Sequence, residues 1–402
     1  MMEDIRKLAQ EQEQYVLALR RHFHRNPEPS WEEVDTTKKV AEELRAIGCE
    51  NIKVGFGGTE CGVTAEITGT LPASVERCVA LRADLDALSM NDEKEGVEYR
   101  SQRPGMAHTC GHDGHAAMLL GAAKVLMKIK DRICGKVRLI FQPSEENVMR
   151  SGAKQMISDG VLNGVDGIFG FHLFSAMPTG TVNYAHGPFM AASDRFEVVI
   201  SGKGGHGSMP HLAIDPTVAM AAAITSWQTI VSRETAPLDA KVISVGAIET
   251  SSQVSNVIPD RVKMTGTIRG FSVDVMKTIE EAFKRTTANI AAAYRCEAEI
   301  TYVKGYPPTI NDSEMLDIAK SAATELLDDS KVNEIPPLTG SEDFSYYQLE
   351  IPGAYFGLGV ACKEKGTDYP HHSPKFDIDE SMLTTGVALH VLCALRFLEN
   401  PA

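Results

Sequence analysis

From about residue 60 to 185 the chain alternates short β-branched runs with helical patterns: GVTAEITG, CVALRA, an apolar helix after Gly114, KVRLIF and GIFGFHLF. Strands alternating with helices specify an α/β domain built on a largely parallel sheet. Near residue 190 the rhythm changes. RFEVVISGKG reads as a strand, and Asp215 followed by Pro216 opens a helix, PTVAMAAAITSWQTIVSR. Strands at AKVISVGAIE and RVKMTGTIRGF, a helix over about 273 to 294 and a strand at EAEITYVKGY complete the stretch. That order, βαββαβ, is the ferredoxin-like motif. A helix (SEMLDIAKSAATELL), a loop-rich stretch and a final helix (SMLTTGVALHVLCALRFLE) follow. The expected organisation is an α/β domain, residues 1–188 and 304–402, interrupted by an inserted α+β domain at 189–303. A length of 402 residues agrees, since one hydrophobic core rarely serves so long a chain.

The formal net charge of −14 argues against nucleic acid and against an acidic membrane surface as partners. No uninterrupted apolar run reaches the eighteen or more residues of a membrane span, and MMEDIRKLAQEQEQYV lacks the apolar core of a signal peptide. A cytoplasmic protein is the expectation. The eight cysteines are scattered without a CxxC pair and read as reduced thiols. Cys110 stands apart because histidines surround it.

The stretch HTCGHDGHAAMLLGAA, residues 108–123, crowds three histidines, a cysteine and an aspartate into eight residues, then becomes an apolar helix. Other candidates stand where apolar strands end: Asp84 and Asp86, Glu145 and Glu146, and His172. His371 and His372 precede the last helix. Ligands of open α/β sheets gather at the carboxyl ends of strands. Thiolate, imidazole and carboxylate are ligands of zinc and related divalent metals. Five or six such donors exceed one tetrahedral site with an open position and suit two metals that share a water and clamp a carbonyl. Adjacent glutamates can divide the work, one ligating while its neighbour takes a proton from water.

The motifs RADLDAL, HTCGHDGH, FQPSEE, GFHLF, GKGGHGSMPH, NVIPD, GSEDFS and HHSPKFDIDE, in this order and preceded by RRHFHRNPEPSWEE, resemble the M20 metallopeptidases, specifically their amidohydrolase branch. The resemblance covers nearly the whole chain. It implies a zinc-exopeptidase-like catalytic domain, with helices on both faces of a mixed, mostly parallel sheet, and an inserted domain acting as lid and dimerisation element. It further implies hydrolysis of the amide bond of N-acyl amino acids, of hippurate or N-acetyl type, by a metal-activated water. By motif it makes Cys110, His112, Glu146, His172 and His372 the ligands of two divalent ions per subunit, drawn from zinc, manganese, cobalt or nickel. Glu145 would be the general base, and Asp86 would orient a histidine or the base. His206 of GGHG would stabilise the oxyanion, in its own or a partner subunit. Asn256 of SNVIP and Arg269 of GTIRGF would contact substrate, the arginine through a carboxylate. A homodimer or higher homo-oligomer is implied through the inserted domain.

One departure stands beside the base. The family pattern after the two glutamates is glycine-rich, whereas here Asn147, Val148, Met149 and Arg150 replace small residues and should reshape the pocket or add a charge. The HSP pattern selects His372 over His371. His108 and His115 read as supporting or helix-start residues, and Asp113 as favouring the helix N-terminus through its dipole. His22, His24, His186, His211 and His390 read as structural, while Glu342 and Asp343 are loop residues suited to supporting the site. Two rival classes are a catalytically inactive metal- and ligand-binding homologue and a metal-dependent oxidoreductase. The intact Glu145–Glu146 pair opposes the first; the lack of GxGxxG after an early strand opposes the second. Within the hydrolases, a dipeptidase or carboxypeptidase of the same fold is the alternative.

Overall fold

All seven residues of the strand Cys78–Asp84 are buried, which is why its sequence is nearly continuous in apolar residues rather than alternating. The strand lies inside an eight-stranded sheet in a computed structural model that describes residues 2–72 and 75–399. The sheet order is Glu50–Val54, Val63–Thr68, Lys136–Gln142, Cys78–Asp84, Gly167–Pro178, Gly353–Ala361, Val182–Tyr184 and Val332–Glu334. Four neighbours in its middle, from Lys136–Gln142 to Gly353–Ala361, run parallel. Antiparallel pairings flank them on both sides. The fold is therefore mixed α/β with a mostly parallel central sheet.

Alternate residues of a strand face opposite sides of a sheet. Val79, Leu81 and Ala83 join the apolar core formed with the helix His112–Lys128, whose own residues are buried almost throughout. Arg82 faces the other side, where its Nε donates to Gln142 and the Tyr347 hydroxyl of the helix Ser345–Glu350 donates to the same oxygen. Helices thus cover both faces. Register places Asp84 opposite Gln142 and Arg82 opposite Gly170, so His172 stands level with Asp84 along the strand direction.

Two features correct the sequence reading. The stretch expected to be loop-rich contains Gly353–Ala361, a buried strand in the parallel middle of the sheet. Also, Glu380–Glu399 is long and apolar enough to cross a membrane when counted as a helix rather than as an unbroken apolar run. Of its apolar window 78% is buried within the protein, against helices Met2–Gln10, His112–Lys128 and Ser313–Leu327.

The chain divides into one unit comprising Met1–Phe189, Ile310–Pro336 and Asp343–Ala402, and a second comprising Met190–Thr309 and Pro337–Glu342. The second unit has its own four-stranded antiparallel sheet, ordered Lys241–Thr250, Arg261–Gly270, Asp194–Ser201, Glu297–Val303. With helices Pro216–Arg233 and Val273–Ala293 in the crossovers, this is ferredoxin-like connectivity. Phe196, Trp227 and Phe283 form the centre of its core, and the Trp227 indole donates to Thr287 at 2.9 Å. Asp215 caps the first helix by accepting the Thr217 N–H, with Pro216 at its first position.

Candidate metal centre

The candidate donors converge from four segments of the first unit. Gly111 takes a left-handed conformation, φ 93°, just before the helix that His112 begins, so Cys110 and His112 flank a sharp turn. Glu145 and Glu146 follow the strand Lys136–Gln142 through Pro143 and Ser144. His172 projects from within the strand Gly167–Pro178. His372 is tied to the cysteine loop by its N–H, which donates to the Thr109 carbonyl at 2.9 Å. Ser144 and His372 both hold positive φ, 56° and 60°, without being glycine. Such conformations cost about 1–3 kcal/mol each and persist where surrounding structure enforces them.

These segments bring together three overlapping groups of donor atoms, each within 4.8 Å of one another: Cys110, His112 and His172; Cys110, Glu146 and His372; and His112, Glu145 and Glu146. Cys110 is common to the first two. Its sulfur lies 3.4 Å from His172 Nε2, and His372 Nε2 lies 3.2 Å from a Glu146 oxygen. An ion bonded to sulfur at about 2.3 Å and to nitrogen at about 2.0 Å holds those two atoms about 3.5 Å apart in tetrahedral geometry.

Ring orientation favours ligation at the same atoms. His112 Nδ1 is 2.9 Å from the Asp86 backbone carbonyl, leaving Nε2 buried without a hydrogen-bond partner among the described residues. His172 Nδ1 is 2.9 Å from the Leu173 carbonyl, which turns Nε2 toward Cys110. His115 differs, because both nitrogens are committed: Nδ1 to Asp84 at 2.6 Å, and Nε2 as acceptor of the Leu173 N–H at 2.9 Å. Asp84 is committed as well, its second oxygen taking Arg82 Nη1 at 2.6 Å. Asp84 and His115 therefore hold the centre from behind, although their donor atoms form a cluster with His112.

The electrostatics call for positive charge. Burial and the carboxylates of Glu146, Glu145 and Asp84 push the Cys110 thiol well above its usual range, a cost that a divalent cation reverses. Burial opposes protonation of His112, but Asp84, Asp86 and Glu146 outweigh it and raise that ring to about 10. Burial, with His115 and His371 adding repulsion, keeps His172 neutral, the form in which imidazole ligates. An orphaned imidazole nitrogen, a thiol and carboxylates around one space fit divalent metal.

Asp86 is the organiser. Its two carboxylate oxygens accept the backbone N–H of Glu145 at 3.0 Å and of Glu146 at 2.9 Å, and Ser30 donates to it at 2.7 Å. Ser30 and Glu33 carry no sequence signal of their own beyond lying in RNPEPSWEE. Asp113 does more than favour a helix end: it accepts from Arg20 Nε at 3.0 Å and contacts His24 Nδ1 at 2.6 Å, all three fully buried. Val148–Arg150 forms a short 3-10 turn capped by the Asn147 side chain, with Arg150 stacked over Trp31 and donating to the Gly57 carbonyl at 2.6 Å. Met149 is left 71% exposed beside it. His206, Asn256 and Arg269 belong to the second unit. There His206 pairs in register with Val257, and the Asn256 carbonyl accepts the Gly207 N–H at 2.7 Å, so these two neighbour one another. Arg269 is half-buried and forms no salt bridge among the described residues.

Comparison with known proteins is consistent across the chain. The family described as Peptidase family M20/M25/M40 matches residues 80–396. Thermostable carboxypeptidase 2 of Saccharolobus solfataricus is 40% identical over 398 residues, 99% of this chain and 99% of that protein. N-acetyl-L-cysteine deacetylase of Bacillus subtilis is 39% identical over 388 residues, 96% of this chain and 89% of that protein. Among solved structures, the Bacillus subtilis YXEP protein, described as a dinuclear metal binding peptidase from M20 family, aligns with a TM-score of 0.83 at 34% identity, over 98% of this chain and 99% of that one.

Proposed function

The chain belongs to peptidase family M20/M25/M40, and on that premise we propose that this metal-dependent amidohydrolase cleaves the amide bond of N-acyl amino acids. The observation that carries the reading is the pair of donor groups joined at Cys110, with Glu145 within 4.8 Å of His112 and Glu146 donor atoms. Two divalent ions on Cys110, His112, Glu146, His172 and His372 would supply Lewis acidity toward the amide oxygen and acidify water. The thiolate suits zinc; manganese, cobalt and nickel are the other candidates.

In this reading Glu145 takes the proton of the attacking water and passes it to the leaving nitrogen. Asp86 fixes the backbone of Glu145 and Glu146 together, so base and ligand keep one spacing. His206 is assigned to the oxyanion, where charge develops in the transition state. Arg269, which forms no salt bridge among the described residues, is assigned to the substrate carboxylate, and Asn256 to a further polar contact. Self-association is assigned to the second unit, whose edge strand Lys241–Thr250 leaves Val242 and Ile248 about half exposed.

A carboxypeptidase or dipeptidase is the second reading, favoured by the 40% identity to a protein named as a thermostable carboxypeptidase. Metal-reconstituted enzyme assayed for amine release on N-acetyl, N-benzoyl and N-succinyl amino acids, beside free dipeptides and blocked peptides, separates the two. Turnover concentrated on the acyl amino acids is expected. Faster release from peptides would replace the first reading by the second.

A further inference from the structure

Glu33 is wholly buried, and its carboxyl is not used by its own helix. It occupies the N-cap position of Val34–Ile47 without making a side-chain cap; the first-turn N–H groups of Asp35 and Thr36 go to Glu28 instead. One oxygen of Glu33 accepts the backbone N–H of Ser144 at 2.7 Å, across 111 residues of sequence. The other is buried without a hydrogen-bond partner among the described residues, and the Cys61 thiol lies against the carboxyl group. A buried carboxyl placed this way costs stability, so its position calls for a role.

Ser144 is the left-handed residue directly before Glu145. Its carbonyl accepts the Gly152 N–H at 2.9 Å, and its N–H is held by Glu33. The next two N–H groups, of Glu145 and Glu146, go to Asp86. Three consecutive amides are therefore aimed at two buried carboxyl groups.

We propose that Glu33 is a positioning residue of the hydrolytic centre: by gripping the Ser144 N–H it holds the left-handed turn that seats Glu145 and Glu146 on Asp86. The inference rests on the assignment of Glu146 as ligand and Glu145 as base. The ionisable groups against Glu33 are Asp86 and Cys61, and burial together with the Asp86 charge raises its carboxyl to about 8. At neutral pH it accepts the Ser144 N–H as the uncharged acid and leaves Asp86 the sole anion of the pair. Above that range a second negative charge forms beside Asp86 and works against the turn.

The test compares Glu33→Gln, which keeps a carbonyl acceptor, with Glu33→Met, which fills similar space without one. Retained zinc is counted by elemental analysis after gel filtration of reconstituted protein, and kcat and KM are measured from pH 6 to 9.5. Glu33→Met should bind zinc about 10- to 100-fold more weakly at one of two sites and lose kcat with KM little changed. Wild type is expected to lose activity above about pH 8, and Glu33→Gln should match it at pH 7 but lack that fall. Wild-type zinc retention and kcat in Glu33→Met, or equal damage in both variants, would overturn the proposal. If Glu33→Met does not fold, Glu33→Gln decides: an unchanged alkaline limb, or lost activity at pH 7, rejects it. The zinc count needs no substrate, so failure of the N-acyl amino acid assignment leaves this test standing.

Discussion

The backbone carbonyl of Asp86 lies 2.9 Å from Nδ1 of His112, and this contact fixes the tautomer of that ring. A carbonyl only accepts, so Nδ1 carries a proton and Nε2 is the atom left facing the donor cluster, free to ligate once a cation displaces its proton. The carboxylate of the same residue holds the amides of Glu145 and Glu146. One aspartate thereby orients three side chains that arrive from two distant parts of the sequence.

Asp86→Asn tests that arrangement. The main-chain bond to His112 survives, but an amide NH2 must now face one of the two glutamate N–H groups. We expect metal affinity to fall about 10- to 100-fold, as for other residues that orient ligands, and kcat to fall with it. Calorimetric zinc titration of the variant is the check; wild-type affinity would mean that the Glu145–Glu146 turn holds itself.

Glu145 and Glu146 are neighbours with opposite assignments, so exchanging the measurements tests both. Glu145→Gln should retain both ions and lose at least about 10²-fold in kcat. Glu146→Gln should release metal. Reversed outcomes, with metal lost from the first variant and turnover kept in the second, would exchange the two roles.

The candidate metal centre is legible in the sequence because its candidate donors are chemically conspicuous residues at strand ends and before an apolar helix. What lies behind the donors is not. Asp84 is tied to His115 of the helix, and the other ring nitrogen of His115 to the Leu173 N–H of a second strand, by packing of the helix on the sheet that no local pattern encodes. The strand Gly353–Ala361 escaped notice for a related reason. Its glycines, which weaken a strand pattern, are required by close packing: a Cβ at Gly359 would lie 2.0 Å from the Pro178 carbonyl oxygen, and one at Gly357 2.6 Å from the Phe174 ring. Residues chosen for what they leave out give a weak signal in sequence.

His390 gives a pH prediction away from the metal ligands. Its ring is buried 3.9 Å from the Phe171 ring centre with Nδ1 unpartnered, and burial, with a smaller effect from His115, lowers it to about 3. In the unfolded chain it titrates near 6.5. Between those values the unfolded state binds a proton that the native state does not, so stability declines as pH falls, by about 1.4 kcal/mol per pH unit. His390→Leu removes this contribution. Relative to wild type the variant should gain about 2 kcal/mol between pH 7.5 and 5, measured by urea unfolding. Equal pH dependence in the two proteins would show that the ring finds a proton-accepting partner in the native state.

Gly152 decides whether the turn carrying the glutamates tolerates any side chain behind it. A Cβ there would lie 1.6 Å from the Pro143 carbonyl oxygen, a backbone atom that cannot rotate away. Its N–H also donates to Ser144 at 2.9 Å, so relief must come from shifting Pro143–Glu146 as a piece. Gly152→Ala should therefore cost about 1–3 kcal/mol of stability by overpacking. Its effect on kcat should be larger than that loss explains, because the displaced segment carries the residues proposed as base and as ligand. Thermal unfolding and kcat, both measured well below the variant's melting temperature, separate the two effects. Reduced stability with unchanged kcat would mean that the shift is absorbed in the helix Gly152–Ser158 and never reaches Glu145.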